Sequence, residues 1–453
     1  VFKISALILF LFAPIAHADQ VKYLARGPEA LAAFLAQAAS ARKSIDLATF
    51  IFEPCDTSTR MLLDTFARKA RSGVRVRVLL DDIMQSRAQK QILADFAHRH
   101  GFEFRFYNTV EKNIRLHIKL MAVDGESYIT GGRNISDKYF SLSAEKNYVD
   151  RDLLVRGTSG RQAAAAFEEL WASKNSSPKV GEGARFEGGQ RLCPIDDSVR
   201  RESVRQFLDR NPDILARVPT RSCASVKFVA DSPDFGHAKY GGGSSAPGSG
   251  EDPYMNPGRL ERKRATKQML EFIRGASASL RMENWVYMPI YGLADVLAEA
   301  RERKVRIRGI TNADTEDGPQ VFREAMDYAV ATYTRRHSVG SQKVRRISSF
   351  GGVSDAFELT PRGTKFYLHG KVYLRDERDL VVSSFNLDSR SYNTNLESLV
   401  VVKNCPHLVA DAEAGLQELI ATYDEDVKSG RVPPKKPASL LAKAFAMVAL
   451  VFF

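Results

Sequence analysis

Apolar and polar positions follow two alternating periods along this chain, and the same order of periods occurs twice. Between Glu29 and Ala41, Leu31, Phe34, Leu35 and Ala38 recur at helical spacing, which predicts an amphipathic helix. Ile45 to Phe52 is an apolar-rich run that stops at Glu53-Pro54, the pattern of a buried strand. Met61, Leu62, Leu63 and Phe66 form the stripe of the next helix, with Thr57 or Ser58 as its expected N-cap and Gly73 at its end. Val74 to Leu80 reads as a second strand, closed by Asp81-Asp82. The second half repeats the order: a helix over Thr266–Ile273, a strand from Leu280 to Met288, a helix over Leu293–Arg303 and a strand from Val305 to Ile310 ending at Thr311-Asn312. Strand, helix and strand with a short return imply parallel neighbours joined by a right-handed crossover. Polar groups at strand C-termini of such sheets face the ligand crevice, which makes Asp81, Asp82 and Asn312 candidates to line it; simple turn formation accounts for them equally well.

The ends and the middle break this pattern. Lys3, the apolar run Ala6 to Phe12 and Ala16-His17-Ala18 form a secretory signal over the first 18 residues. Export would place the protein in the periplasm, at a membrane or outside a Gram-negative-type cell, where disulfides persist. Cys55, Cys193, Cys223 and Cys405 contain no C-x-x-C pair, so a zinc site is not expected. Cys193 and Cys223 flank one polar segment and are the first expectation for a bridge. Residues 191–259 read as a connecting segment that includes the Gly/Ser-rich stretch Gly241 to Gly250, with the second lobe starting near residue 224. After residue 430 come a Pro/Lys linker and the apolar tail Leu440 to Phe453, short for a span. The tail is expected to rest on a membrane surface, to be a truncated span, or to pack as a helix on the body. The expected division is therefore 1–18, 19–190, 191–259, 260–430 and 431–453.

Composition narrows the class only slightly. With 453 residues, 44% hydrophobic and 26% charged, the chain can bury a core in each half, which excludes wholesale disorder and a multi-span membrane protein. Its net charge of +12 favours an anionic partner, whether nucleic acid, lipid headgroup or membrane surface.

The candidate chemistry is duplicated like the fold. His117-x-Lys119 is followed by Asp124 and, ten residues on, by Asn134; His369-x-Lys371 is followed by Asp376 and, ten residues on, by Asn386. Small residues precede each Asn: Gly131-Gly132 and Ser383-Ser384. On a strand, His and Lys two apart share a face. Two halves packed together would then set two imidazoles and two ammonium groups around one point, as attack on a phosphodiester requires. One His acts as nucleophile. The other protonates the leaving oxygen and then activates water or an alcohol. The Lys and Asn groups stabilise the phosphoryl oxygens, so neither metal nor cofactor is called for. A carboxylate on each ring would set its tautomer. Glu397 is one candidate, and in the first half Asp150 is preferred to Glu145 and Asp152. Asp124 and Asp376 complete the motif, with tying down local backbone their more natural task. Because both halves lie in one chain, a monomer suffices for one site.

Together with the paired motif, the stretches Phe50 to Pro54, Leu79 to Asp82, Gly131 to Phe140 and Ser383 to Ser391 resemble the phospholipase D superfamily. Within it, the chain is similar to the bacterial cardiolipin synthases and related phospholipase D-like proteins over residues 24–425. The resemblance implies an α/β fold of two similar phospholipase D-type α/β/α lobes, packed in pseudo-two-fold fashion around one shared active site. It also implies phosphatidyl transfer through a phosphohistidine, with His117 as nucleophile and His369 as acid. The partners so implied are a phospholipid at a membrane surface and water, an alcohol or a lipid hydroxyl as acceptor. A secreted or periplasmic nuclease is the alternative, since the same chemistry cuts nucleic-acid phosphodiesters and the positive charge suits it. Both motifs are intact, which argues against a non-catalytic binding scaffold.

Overall fold

A computed structural model of the chain describes residues 18–107, 114–178, 198–234, 257–313, 320–340, 342–351, 360, 363–432 and 438–449. Nearly all of the expected signal segment, Cys193, the Gly/Ser-rich stretch and most of the Pro/Lys linker lie outside the described residues.

Two mixed sheets carry the repeat. In the first, Ser44–Thr49, Arg75–Asp81 and Glu103–Tyr107 run parallel, linked by the helices Thr57–Arg71 and Arg87–His100. On the other side of Ser44–Thr49 the sheet continues antiparallel through Leu120–Val123, Ser127–Gly131, Asp152–Arg156 and Asp19–Leu24. In the second, Ser279–Asn284, Arg306–Asn312 and Lys343–Ile347 are parallel, and Lys371–Arg375, Asp379–Ser383, Ser398–Lys403 and Ser225–Ala230 follow antiparallel. Ser44–Thr49 is buried at every position because helices or the other lobe cover both of its faces, hence its near-continuous apolar run. The two lobes share one core: Ala48, Leu79, Ile118 and Leu120 of the first pack with Val372, Leu374, Leu380 and Val400 of the second.

Two local expectations are corrected. The helix Thr57–Arg71 has Asp56 at its N-cap, and Thr57 and Ser58 are its first two residues. Their N–H groups donate to the Asp137 carboxylate at 3.2 and 2.8 Å, so a residue distant in sequence supplies the oxygen expected from a local side chain. The bridge involving Cys223 runs to Cys405 rather than Cys193. Cys223 ends the strand Arg221–Cys223 at the edge of the first sheet, and the chain enters the second sheet at Ser225. Cys405 is the N-cap of the long second-lobe helix Pro406–Lys428, so the bridge fastens lobe to lobe across 182 residues of chain. Cys55 is also disulfide-bonded. Closing so long a loop restricts the unfolded chain, and the double variant Cys223→Ala/Cys405→Ala should lose about 2–5 kcal/mol. Calorimetric unfolding checks this: an unchanged Tm would show that the bridge does not constrain the fold.

The described part of the tail, the helix Leu440–Ala449, packs on the body. Ala442 and Ala446 meet Ala325 of the helix Gln320–His337, while Leu440, Leu441 and Phe445 stay exposed. No helix among the described residues is long and apolar enough to cross a membrane.

Candidate active site

Each motif histidine is set in place by a short parallel strand pair that crosses between the lobes. Arg115–Leu116 runs beside Asn395–Leu396, and the next residues are His117 and Glu397. Lys365–Leu368 runs beside Lys146–Val149, and the next residues are His369 and Asp150. Backbone bonds extend both ladders: His117 N–H donates to the Leu396 carbonyl at 3.0 Å and His369 N–H to the Val149 carbonyl at 2.8 Å. Each imidazole therefore meets a carboxylate of the opposite lobe. His117 Nδ1 lies 2.9 Å from both Glu397 oxygens, and His369 Nδ1 lies 2.5 Å from Asp150 Oδ2. Reading the sequence half by half looks for each carboxylate beside its own histidine; the structure exchanges them. Glu145 is exposed, and Asp152 is held by Arg133 at 2.6 Å.

The His-x-Lys segments do not lie within strands as expected. His117 to Lys119 links the crossing strand to the sheet strand Leu120–Val123, and His369-Gly370 links Lys365–Leu368 to Lys371–Arg375. Lys119 Nζ donates to the His117 carbonyl at 2.6 Å. Lys371 Nζ lies 2.9 and 3.2 Å from the two ring nitrogens of His369. An aromatic ring backs each pair. Phe50 stands 5.0 Å from the His117 ring and 5.3 Å from Lys119 Nζ. Trp285 stands 5.5 Å from the His369 ring and 5.8 Å from Lys371 Nζ. Phe50 and Trp285 follow the first strand of each repeat, and that matched position was the signal available in the sequence. Asn134 Oδ1 accepts from Ile51 N–H at 3.2 Å, whereas Asn386 Oδ1 is buried without a partner among the described residues.

Asp124 and Asp376 are taken up by local backbone. Asp124 accepts the backbone N–H groups of Arg42, Lys43 and Ser44, and Asp376 those of Ser277, Ala278 and Ser279. Each follows the far end of its sheet strand and fastens the turn that opens the first strand of its repeat. Asp81 is buried and accepts from Leu116 N–H at 2.7 Å, so it holds the strand that delivers His117. Asp82 pairs with the buried Lys90 at 2.5 Å, and Asn312 is buried at the position matching Asp81.

Burial decides the charge states. It pushes His117 down to about 4 and His369 down to about 3, while Glu397 and Asp150 pull the other way. It also lowers Lys119 to about 7 and Lys371 to about 8. Burial would raise Glu397 and Asp150, but the adjoining imidazoles and nearby lysines hold both carboxyls below their ordinary range. Near neutral pH each site therefore pairs an ionised carboxylate with a neutral imidazole. The Nδ1 atom facing that carboxylate carries the proton, which leaves Nε2 as a base or nucleophile.

The two carboxylates are supported differently. Glu397 accepts from Ser384 Oγ at 2.5 Å, Ser391 Oγ at 2.8 Å and Asn395 Nδ2 at 3.2 Å. Asp150 accepts the N–H of Arg151 at 2.8 Å, and Gly132 stands where the second half has Ser384. A Cβ on Gly132 would fall 2.2 Å from Asp150 Oδ1, so the close approach excludes a side chain. Below each carboxylate lies a buried ion pair. Arg133 binds Asp152 and donates to the carbonyls of Asp150, at 2.5 Å, and Tyr139. Lys263 binds Asp231 at 2.5 Å and donates to the carbonyls of Ser391 and Asn395, while Asp231 accepts the N–H of Glu397. The repeat places Phe385 opposite Arg133 and Leu399 opposite Asp152, so these supports are built from non-matching positions. Repetition gave no signal for Asp231, Lys263 or Arg133.

Comparison with known proteins gives a consistent picture. The chain is 25% identical over 410 residues to cardiolipin synthase C of Escherichia coli (strain K12), covering 84% of this chain and 80% of that one. Its fold matches the crystal structure of phosphatidylserine synthase from Haemophilus influenzae Rd KW20 with a TM-score of 0.62, over 95% of this chain and 94% of that one, at 15% identity. That likeness concerns the fold: two lobes of one design around a common seam. The family described as "Cardiolipin synthase, PLD-like domain" matches residues 34–171 and again 269–420, one copy for each motif. On those two matches, the chain belongs to the phospholipase D-like family of cardiolipin synthase-type domains.

Proposed function

We propose that the protein transfers or hydrolyses the phosphatidyl group of phospholipids through a phosphohistidine. The observation that carries the proposal is the pair of buried imidazoles, each aligned by a carboxylate from the opposite lobe and each accompanied by a buried lysine. His117 Nε2, the nucleophile by family resemblance, attacks phosphorus. The bond to the leaving headgroup oxygen breaks as that oxygen takes a proton from His369. An incoming water or alcohol then gives its proton to His369 and attacks phosphorus, breaking the P–N bond. His369 must be protonated before the first step, and the anionic phosphodiester favours that proton. Lys119 and Lys371 offset the phosphoryl charge in a dry site, and no metal enters the proposed reaction. A phospholipid substrate and a membrane-associated setting fit the lipid synthases among the relatives. Disulfides suit an oxidising compartment, as export would provide.

The deciding experiment compares two substrates in excess chelator. Purified protein should turn over phosphatidylglycerol vesicles, divert product to a phosphatidyl-alcohol when a primary alcohol is added, and leave supercoiled plasmid intact. Cleaved plasmid with untouched lipid would replace this reading with a nuclease. Loss of lipid turnover on chelation, rescued by one metal, would overturn the metal-free mechanism.

A further inference from the structure

What stands behind each motif histidine differs between the lobes. Behind His117 the packing is hydrocarbon: Ile118 and Ala48 belong to the shared apolar core. Strand register puts Gly370 at the position of Ile118, Glu283 at that of Ala48 and Arg151 at that of Ser398. Arg151 and Glu283 are both buried, and Arg151 Nε donates to Glu283 Oε2 at 3.2 Å. The same guanidinium donates to the Ala25 carbonyl at 2.5 Å and to the Gly415 carbonyl at 3.2 Å, so one side chain of the first lobe ties both lobes together. Its backbone N–H is the group that Asp150 Oδ1 accepts. The Val149 carbonyl, two residues before Arg151, accepts the N–H groups of His369 and Gly370 at 2.8 and 3.1 Å. A Cβ on Gly370 would collide with Glu283 Oε1 and come within 3.1 Å of Arg151 Cγ. The ion pair therefore lies directly against the backbone between His369 and Lys371. Withdrawing two charges from water is costly, and the first lobe fills the equivalent space with Ile118 and Ala48 at no such cost. Stability alone does not call for the pair; a buried ion pair is best suited to fixing one register.

We propose that Arg151 and Glu283 are positioning residues for the general acid. The pair holds the Asp150 segment and the His369-Gly370 bend in one register across the seam, so that Asp150 meets Nδ1 of His369 and Nε2 faces the leaving oxygen. Gly370 follows from it: the Glu283 carboxylate takes the room a side chain would need. His117 has no counterpart of the pair, so loss of the pair should reach only the steps in which His369 moves a proton. The inference rests on the phosphatidyl-transfer reading and deepens it, by adding two residues to the acid's half of the site.

Two measurements on the whole chain test it. The first is magnetic resonance of isotope-labelled histidine and needs no substrate. The Nδ1–H signal lost in Asp150→Asn belongs to His369, and the one lost in Glu397→Gln to His117. In the double variant Arg151→Met/Glu283→Met, which leaves no unpaired charge, the His369 proton should exchange with water about tenfold faster or more, and the His117 proton at the wild-type rate. The second uses a nitrophenyl phosphodiester, whose leaving group departs without a proton. Release of nitrophenolate in the first turnover, which marks adduct formation on His117, should keep its wild-type rate. Steady-state turnover should fall about 10²-fold, the scale set by an ångström of misplacement. With lipid, where both steps use His369, kcat should fall by at least as much at little-changed KM. Glu283→Gln keeps the shape and an acceptor for Arg151; it should show the same pattern with a smaller loss, and it carries the test if the double variant does not fold. Ring protons that change equally at both histidines, or not at all, would overturn the positioning role. So would first-turnover and steady-state rates that fall together. A wild type that turns over neither substrate, while the variants loosen the His369 proton alone, would overturn the phosphatidyl-transfer reading and support the positioning role.

Discussion

Alanine at His117 or His369 should each abolish turnover, with losses on the order of 10⁴-fold, and the double variant should be scarcely worse than either single one. Groups that act as one unit fail together, because removing either leaves the other without a step to perform. The two variants should nonetheless differ in where the reaction stops. Wild-type protein quenched during turnover of labelled substrate should carry label on histidine, and His117→Ala should carry none. In His369→Ala a natural substrate should leave no label, since its alkoxide departs only with a proton. A phosphodiester with a nitrophenol leaving group needs no such proton. With it, His369→Ala should form the adduct on His117 and then accumulate it, because water lacks its base for the second step. Substantial activity in either variant, or label on neither protein, would sink the two-histidine mechanism.

Asp150→Asn and Glu397→Gln should each lower kcat by about 10²–10⁴-fold with little change in KM, by analogy with amide replacement of a carboxylate that orients a catalytic imidazole. Their pH profiles should differ, because the carboxylates serve different tasks. Asp150 favours the protonated form of His369, so its charge raises that imidazole's pKa. Removing the charge lowers the pKa, the protonated fraction at any given pH falls, and the basic limb of kcat moves to lower pH. Glu397 likewise raises His117, but His117 must be neutral to attack. Its loss therefore costs nothing through titration. The damage comes instead from the amide, which can donate to Nδ1 and shift the ring proton onto Nε2, the atom that should attack. Glu397→Gln should leave the basic limb in place. Identical profiles for both variants, or a loss explained wholly by a fall in Tm, would overturn the assignment of Asp150 to the acid.

Much of this arrangement was legible in the sequence. The apolar periods placed the first strands and helices of both repeats to within a few residues, because strongly amphipathic or doubly buried segments leave long patterns. The paired His-x-Lys motif pointed to the candidate site because His117 and His369 recur at equivalent points of a repeat. The exchange of Glu397 and Asp150 between lobes was not legible. It depends on the register of Arg115–Leu116 with Asn395–Leu396, and strands of two residues leave no periodicity to read. The expected cap at Thr57 or Ser58 failed for a related reason: the N–H groups of a helix start donate to any well-placed oxygen, and Asp137 supplied it from far along the chain. Arg133–Asp152 and Lys263–Asp231 escaped because each support uses its own positions. The Cys223–Cys405 bridge joins elements of different lobes, 182 residues apart in the chain.

The crossing strands also bear on ancestry. Each lobe steadies the imidazole of its sister, so a change at Asp150 is felt at His369 and a change at Glu397 at His117. Two copies of a duplicated unit are usually free to drift apart, but here those four positions remain bound to one another across the seam. Differences off that exchange, such as Arg133 against Phe385 or Arg115 against Tyr367, give the two sides of the seam unlike surroundings.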